Sequence, residues 1–402
     1  MSYASEIRCW KSGEPVTDGV PVACGPGDFP EVHYDLARIA GEFDRDRLSA
    51  GPASLWRYWP LLPADDPANA VSLGEGWTPL LDAPRLAEAL GCRHLWIKDE
   101  GRNPSGTFKD RGASVATTRL RELGIKAVVE NSSGNAAAAW GMYAARAGMK
   151  CVNLVPADTL PASLFQSAWS GAETIVLDGP WQQSGAMVAE AAKRMDWFNV
   201  STFKEPHRLE GKKTMGLELA EQFGWELPDA IVYPTGGGLG AVAIYKAFRE
   251  LQALGWVAAG PLPKLIVVQY EGCAPVVKAF RDGADHADMW MDLDVPPGGL
   301  KSTRPPGDQM LLRLMRETGG CAIPVSTKDA VRAVKDVARM EGLFACPEVG
   351  TTVAGLRQAL ADGVVDRDAR IVLMFTGSGM KSIPVFPEPP YRTVAAGDFI
   401  GD

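Results

Sequence analysis

The stretch Asn103-Pro104-Ser105-Gly106-Thr107-Phe108-Lys109-Asp110-Arg111-Gly112 places one lysine where a Pro/Gly turn runs into a helix. Before it lies the strand-like run His94-Leu95-Trp96-Ile97-Lys98, and after it the apolar-periodic Ala113-Ser114-Val115-Ala116-Thr117-Thr118-Arg119-Leu120. The positive end of a helix dipole disfavours an ammonium, and burial disfavours it further. Lys109 is therefore expected to carry a neutral amine that can attack an aldehyde.

Working outward, the same rhythm recurs. Ala127-Val128-Val129-Glu130 leads into a helical pattern over 136–147, Cys151-Val152-Asn153-Leu154-Val155 into one over 162–169, and Thr174-Ile175-Val176-Leu177 into one over 182–195. A second set begins at Ala230-Ile231-Val232-Tyr233 and ends at Arg370-Ile371-Val372-Leu373-Met374-Phe375. Strands alternating with long helices predict an α/β fold of two open, twisted, mostly parallel sheets, with ligands bound in the cleft beyond the carboxyl ends of the strands. The expected division is an N-terminal extension (1–55), an α/β domain carrying Lys109 (56–200) and a second α/β domain (201–402). Residues 284–307, rich in Asp, Pro and Gly, read as the main interior loop, at the cleft or on the surface.

Four further segments carry donors. Pro234-Thr235-Gly236-Gly237-Gly238-Leu239-Gly240 follows a buried strand and opens a helix, so its N–H groups can converge on a phosphate, and glycines leave room for the anion. Its spacing is neither that of a dinucleotide fingerprint nor that of a Walker loop, which disfavours NAD and ATP. Asn131-Ser132-Ser133-Gly134-Asn135-Ala136 offers hydroxyl, amide and N–H donors suited to a carboxylate or a phenolate oxygen. Thr376-Gly377-Ser378-Gly379-Met380-Lys381 closes the last strand, and Glu205-Pro206-His207-Arg208-Leu209-Glu210-Gly211-Lys212-Lys213-Thr214 sets an arginine at a helix start, where its planar fork matches phosphate oxygens.

Taken together these segments resemble the fold type II pyridoxal-phosphate (PLP) enzymes of the tryptophan synthase β-subunit superfamily, most of all the threonine synthase-like family. That family's lysine segment reads Asn-Pro-Thr-Gly-Ser-Phe-Lys-Asp-Arg. The resemblance runs from about Gly74 to Lys381 and implies PLP as cofactor, bound as a Schiff base to Lys109. Phe108, Asn135 at the 3'-oxygen, the phosphate cradle Gly236, Gly237, Gly238, Leu239 and Gly240, and Thr376 at the pyridine nitrogen (Ser378 as fallback) complete the implied cofactor site. A neutral hydroxyl at that nitrogen favours elimination or replacement over transamination. On the substrate side the resemblance implies Ser132, Ser133 and Gly134 near the carboxylate and Arg208 with Lys204 at a phosphate. The implied reaction converts O-phosphohomoserine and water to threonine and phosphate. A homodimer is the family's usual assembly.

Several positions depart from the pattern. Ala136 stands where threonine is common, and Thr202-Phe203-Lys204-Glu205 replaces Asn-Ser-Val-Asn. Within the helix-start segment the family reads Asn-Pro-Tyr/His-Arg-Leu-Glu-Gly-Gln-Lys-Thr. These changes keep open β-elimination or β-replacement on O-phosphoserine, in the manner of cysteate synthases or dehydratases, and beyond enzymes a catalytically silent binding protein of the same fold. Glu341-Gly342-Leu343-Phe344-Ala345-Cys346-Pro347-Glu348-Val349-Gly350 resembles the family's cleft-wall segment, for which a structural role is expected.

Composition sets the remaining bounds. At 402 residues, 46% apolar and with a formal charge of -8, the chain can fill two α/β cores and offers no broad basic face for nucleic acid. No membrane span and a cytoplasmic home are expected. The seven cysteines do not read as a disulfide framework, and Cys9 and Ala23-Cys24-Gly25 read as a metal-free remnant of a zinc ribbon.

Overall fold

The computed structural model describes the chain apart from Met1, residues 21–23, Pro26, Arg392, Val394, Ala395 and residues 397–402, so Ala23 of the ribbon remnant lies outside the described residues. Three sheets form. Strands β1 (Ala4–Cys9), β2 (Pro15–Val16) and β3 (Pro30–Tyr34) make a small antiparallel sheet in the order β2-β1-β3. Next come β4 (Leu80–Asp82), β5 (His94–Asp99), β6 (Ala127–Asn131), β7 (Lys150–Pro156), β8 (Glu173–Leu177) and β9 (Phe198–Asn199). The last four are β10 (Ala230–Pro234), β11 (Lys264–Tyr270), β12 (Cys321–Val325) and β13 (Arg370–Phe375).

The order β8-β7-β6-β9 gives a four-stranded parallel sheet, and β12-β11-β10-β13-β5-β4 a six-stranded sheet that is parallel except for β4. This matches the predicted class, but the assignment of all of 56–200 to the first domain needs correction. β4 and β5 lie within the segment assigned to the first domain, yet β5 pairs with β13 along its whole length, from His94 opposite Arg370 to Asp99 opposite Phe375. The chain therefore enters the large sheet, leaves it to build the small one, and returns. Local periodicity cannot report a pairing between strands so far apart in sequence.

Buried parallel strands are apolar on both faces, and β10 shows why. Ile231 and Tyr233 join one core with Leu265 and Val267, while Ala230 and Val232 join another with Ile266 and Val268. Successive side chains thus feed two helical layers. In the smaller unit, Trp140 and Ala144 of the helix Asn135–Ala147 pack with Val128, Cys151 and Phe198. The segment 284–307 contains no helix or strand.

The N-terminal extension is a packed layer. Tyr3, Ile39, Leu48 and Tyr58 share a core with Leu217, Leu251 and Trp256 from the helices His207–Gln222 and Leu239–Ala253. Cys9 and Cys24 are joined as a disulfide, with Cα atoms 5.8 Å apart, rather than standing as two separate thiols. Asp18 reaches into the main body, 2.8 Å from Arg119 Nε and 3.2 Å from the buried His207 ring, whose other nitrogen meets Glu205. Burial alone would lower the His207 pKa, but Glu205 and Asp18 overrule it and raise it to about 9.

One polar cluster ties the layers together. Arg111 is fully buried; its Nε lies 2.6 Å from Glu100 and its Nη1 2.6 Å from Glu218. Lys98 Nζ also meets Glu218, at 2.7 Å, and Thr78 Oγ1 donates to Glu100 at 2.6 Å. Burial pushes the Glu218 carboxyl up, yet Arg111 and Lys98 hold it down at about 2.

Removing one partner of such a cluster strands a charge. Arg111→Leu is expected to cost about 3–5 kcal/mol in urea unfolding, and a loss under about 1 kcal/mol would show the cluster to be dispensable. His207 gives a pH signature. Its folded pKa lies above the ordinary 6.5, so its contribution is complete below that value and is lost as pH rises through about 9. The stability difference between wild type and His207→Gln should shrink over that window; a difference independent of pH would contradict the imidazolium.

Candidate active site

Four loops meet at one cleft of about 620 Å³ between the two large units. They follow β5, β6, β10 and β13, so each lies beyond the carboxyl end of its strand, as doubly wound sheets require. Thr107 and Gly377 form an isolated β-bridge and Phe108 N–H donates to Thr376 O at 3.1 Å, which locks the lysine loop onto the end of β13.

Lys109 begins the helix Lys109–Glu122 and faces the cleft. Among the described residues its amine makes no hydrogen bond, and Nζ stands 4.4 Å from the centre of the Phe108 ring. Burial lowers its pKa to about 8 with the help of the Arg208 charge, against the pull of Glu130 and Glu348. Roughly a tenth of the amine is thus free base at pH 7, far more than for a lysine at its ordinary value.

The glycine loop is confined by its surroundings. A Cβ on Gly236 would stand 2.5 Å from Gly299 O, and one on Gly240 would run into the Tyr233 hydroxyl; Gly238 has φ +89°. No backbone acceptor among the described residues takes the N–H groups of 236–240, which open the helix Leu239–Ala253. Bare N–H donors at a helix start make a ready anion seat. Gly236, Gly237, Gly238, Leu239 and Gly240 all line the cleft with Phe108.

The serine loop is used differently from expectation. Asn135 Oδ1 accepts from Ser163 Oγ at 3.2 Å, which turns the amide NH2 away from that contact. Ser132 Oγ accepts from Gly134 N–H at 3.2 Å and Ala137 N–H at 3.1 Å, so this hydroxyl caps its own helix. Ser132, Ser133, Asn135 and Ala136 line the cleft, but Gly134 does not. With φ +124° and a virtual Cβ 2.9 Å from Thr159, Gly134 serves the close approach of the segment 159–163. Thr376 lines the cleft, whereas Ser378 caps the following turn at Met380 N–H, 3.3 Å away. This favours Thr376 over its fallback.

Arg208 is the main displacement. It is only 2% exposed; its Nη1 lies 2.9 Å from Glu130 Oε2 and also donates to Val200 O, and it is absent from the cleft lining. Helix-start position alone could not reveal a partner on β6. Lys204 is exposed at the cleft rim. Sequence reasoning missed Lys212, one helical turn beyond Arg208; Glu348 of the expected cleft-wall segment lines the cleft, and its Oε1 accepts from Gly299 N–H at 2.6 Å. The loop 284–307 borders the cleft through residues 299–306, and its Lys301 pairs with Asp158.

A family model described as pyridoxal-phosphate dependent enzyme matches residues 71–377. A threonine synthase of Methanocaldococcus jannaschii is 35% identical over 376 residues, covering 93% of this chain and 92% of that protein. One from Methanosarcina acetivorans is 35% identical over 390 residues, 95% of each. Among solved structures, processed threonine deaminase isoform 2 from Solanum lycopersicum superposes with a TM-score of 0.64 at 19% identity, covering 92% of this chain and 97% of that one. Diaminopropionate ammonia lyase from Escherichia coli gives 0.66 at 16% identity, over 78% and 87%. The two-unit α/β architecture is thus that of fold type II enzymes.

A buried free amine should betray itself by its titration. Uptake of PLP by the cofactor-free protein is expected to accelerate with pH about a midpoint near 8 and to vanish in Lys109→Ala. A midpoint at the ordinary lysine value of 10.5 would remove the desolvation argument.

Proposed function

The chain belongs to the pyridoxal-phosphate dependent enzyme family, and from that premise we propose that it is a threonine synthase, converting O-phosphohomoserine and water to threonine and phosphate. The observation that carries the reading is Lys109: a half-buried amine without a hydrogen bond, set in a cleft whose residues suit PLP. The bare N–H groups of the glycine loop fit the cofactor's phosphate, and the Asn135 amide suits its 3'-oxygen. Thr376 would meet the pyridine nitrogen with a neutral hydroxyl. When bound, PLP supplies an aldehyde that condenses with amines and a ring that draws electron density from the α-carbon of an amino acid.

The chain's own groups do the rest. Lys109 is the residue that would hold the cofactor, and its amine, when free, would take the α-proton of the bound amino acid. Ser133 and the loop about it orient the carboxylate, while Ser132 keeps the helix start rigid. Lys204 lies at the rim, where an anionic leaving group passes. Arg208 acts from behind the wall: its charge lowers the Lys109 pKa without entering the cleft.

Ala136 and the segment Thr202-Phe203-Lys204 also support a second reading, β-chemistry on O-phosphoserine. Both Ala136 and Lys204 line the cleft, so the departures fall on the substrate side. The retained lysine weighs against a silent binding protein. A homodimer is the proposed assembly, supported by exposed Phe165 and Trp169 on the helix Pro161–Trp169 beside the exposed Met380 turn. The proposed compartment is the cytoplasm; five free thiols suit it, whereas the Cys9–Cys24 disulfide weighs against it.

Purified protein should show a visible cofactor band and release phosphate and threonine in equal amounts from O-phosphohomoserine. Lys109→Ala should lose the band and at least about a thousandfold in rate. Phosphate released from O-phosphoserine alone would install the second reading, and protein that ignores PLP would end both.

A further inference from the structure

Lys212 is the cleft's unassigned cation. It is 1% exposed, lines the cleft, and makes no hydrogen bond or ion pair among the described residues. Its ammonium stands 5.7 Å from the centre of the same Phe108 ring that Lys109 approaches, and a Cβ on Gly112 would stand 3.3 Å from it. An unpaired lysine amine in such a place is costly unless something else satisfies it.

The neighbouring substitutions form a consistent set. Arg208, which the family resemblance puts at the substrate's phosphate, is turned onto Glu130 and Val200 O. Glu205, the acidic replacement next to it, is taken by His207 and by the N–H groups of His207 and Arg208 at 2.9 and 2.8 Å. Four residues beyond Arg208, on the same helical face, stands Lys212, where the resembled motif carries a glutamine. The chain has thus withdrawn one cation from the cleft and added another.

Resting on the reading of a phosphorylated amino-acid substrate, we propose that Lys212 is the principal ligand of the substrate's departing phosphate and thereby a determinant of specificity for dianionic leaving groups. Burial first, then the charges of Arg208 on its own helix and Lys109 on the helix Lys109–Glu122, lower its pKa well below the ordinary value, against Glu130 on β6 and Glu205 in the preceding loop. With the cleft empty, burial and those neighbouring charges thus favour the neutral amine of Lys212. A dianion alongside it favours the ammonium, so binding draws one proton from solvent onto Nζ. A glutamine cannot make that exchange.

Sulfate tests this without turnover, because it stays dianionic throughout the neutral range while bound PLP occupies the glycine cradle. Calorimetric titration of the PLP-loaded enzyme with sulfate, in buffers of different ionisation enthalpy near neutral pH, reads the proton stoichiometry. Wild type should take up a proton approaching about one per sulfate. Lys212→Gln and Lys212→Met, each with its cofactor band intact, should lose that uptake and bind sulfate about tenfold or more weakly. For turnover of O-phosphohomoserine, Lys212→Gln should raise KM more than it lowers kcat. Sulfate binding with undiminished proton uptake in both variants, or no sulfate binding by the loaded wild type, overturns the assignment. Should sulfate behave as described while no threonine forms from O-phosphohomoserine, the Lys212 site stands and the threonine synthase reading falls.

Discussion

Arg111 lies fully buried between Glu100 and Glu218, and the surroundings of Lys109 are arranged about that contact. Glu100 follows directly on β5, Arg111 sits two residues after the lysine, and Glu218 belongs to the helix that also carries Arg208 and Lys212. The cluster therefore pins three elements at one point. A buried ion pair of this kind adds little net stability over an apolar substitute, but it tolerates few alternative packings because every alternative leaves a charge unpaired. What it supplies is registration: the lysine helix cannot rotate without breaking bonds at both carboxylates.

From that anchor the electrostatics of the cleft follow. Lys109 and Lys212 face the space without ion-pair partners among the described residues, while the Arg208 guanidinium is held behind the wall by Glu130. A fixed cation just outside and titratable amines just inside form a division of labour. The fixed charge biases the amines toward the free base, and the amines respond to whatever enters. Glu348, with one oxygen on Gly299 N–H and the other buried without a hydrogen-bond partner among the described residues, stands on the far wall and ties down the loop that borders the opening.

Much of this could be read from the residues in order. Each βα junction combined a buried strand, a glycine or serine cluster and a helical period, and such local signals survive folding unchanged. Hence the lysine loop, the glycine loop, the Asn135 loop and Thr376 all fell on one cleft. Other features depended on pairings that periodicity does not encode. Arg208 found Glu130 on another strand, β5 found β13, and Cys9 found Cys24. Gly134 offers an N–H by its place in the serine loop, yet its lack of a side chain is what the neighbouring segment uses. Helical spacing puts Lys212 on the same face as Arg208, one turn earlier, but spacing does not tell which of the two cations enters the cleft.

The placement of β13 has a bearing on synthesis. It is an interior strand of the large sheet, lying between β10 and β5, but it is translated near the end of the chain. The four-stranded sheet is drawn from one unbroken span and can close on the ribosome while the rest is still being made. The large sheet cannot, because a gap one strand wide separates β5 from β10 until residue 375 is free of the exit tunnel. Nascent protein therefore leaves the β5 edge facing β13 unpaired from residue 99 onward and the β10 edge from residue 234 onward. The lysine emerges early and waits longest, and the last strand to arrive is the one that brings Thr376 and seats the loop before it.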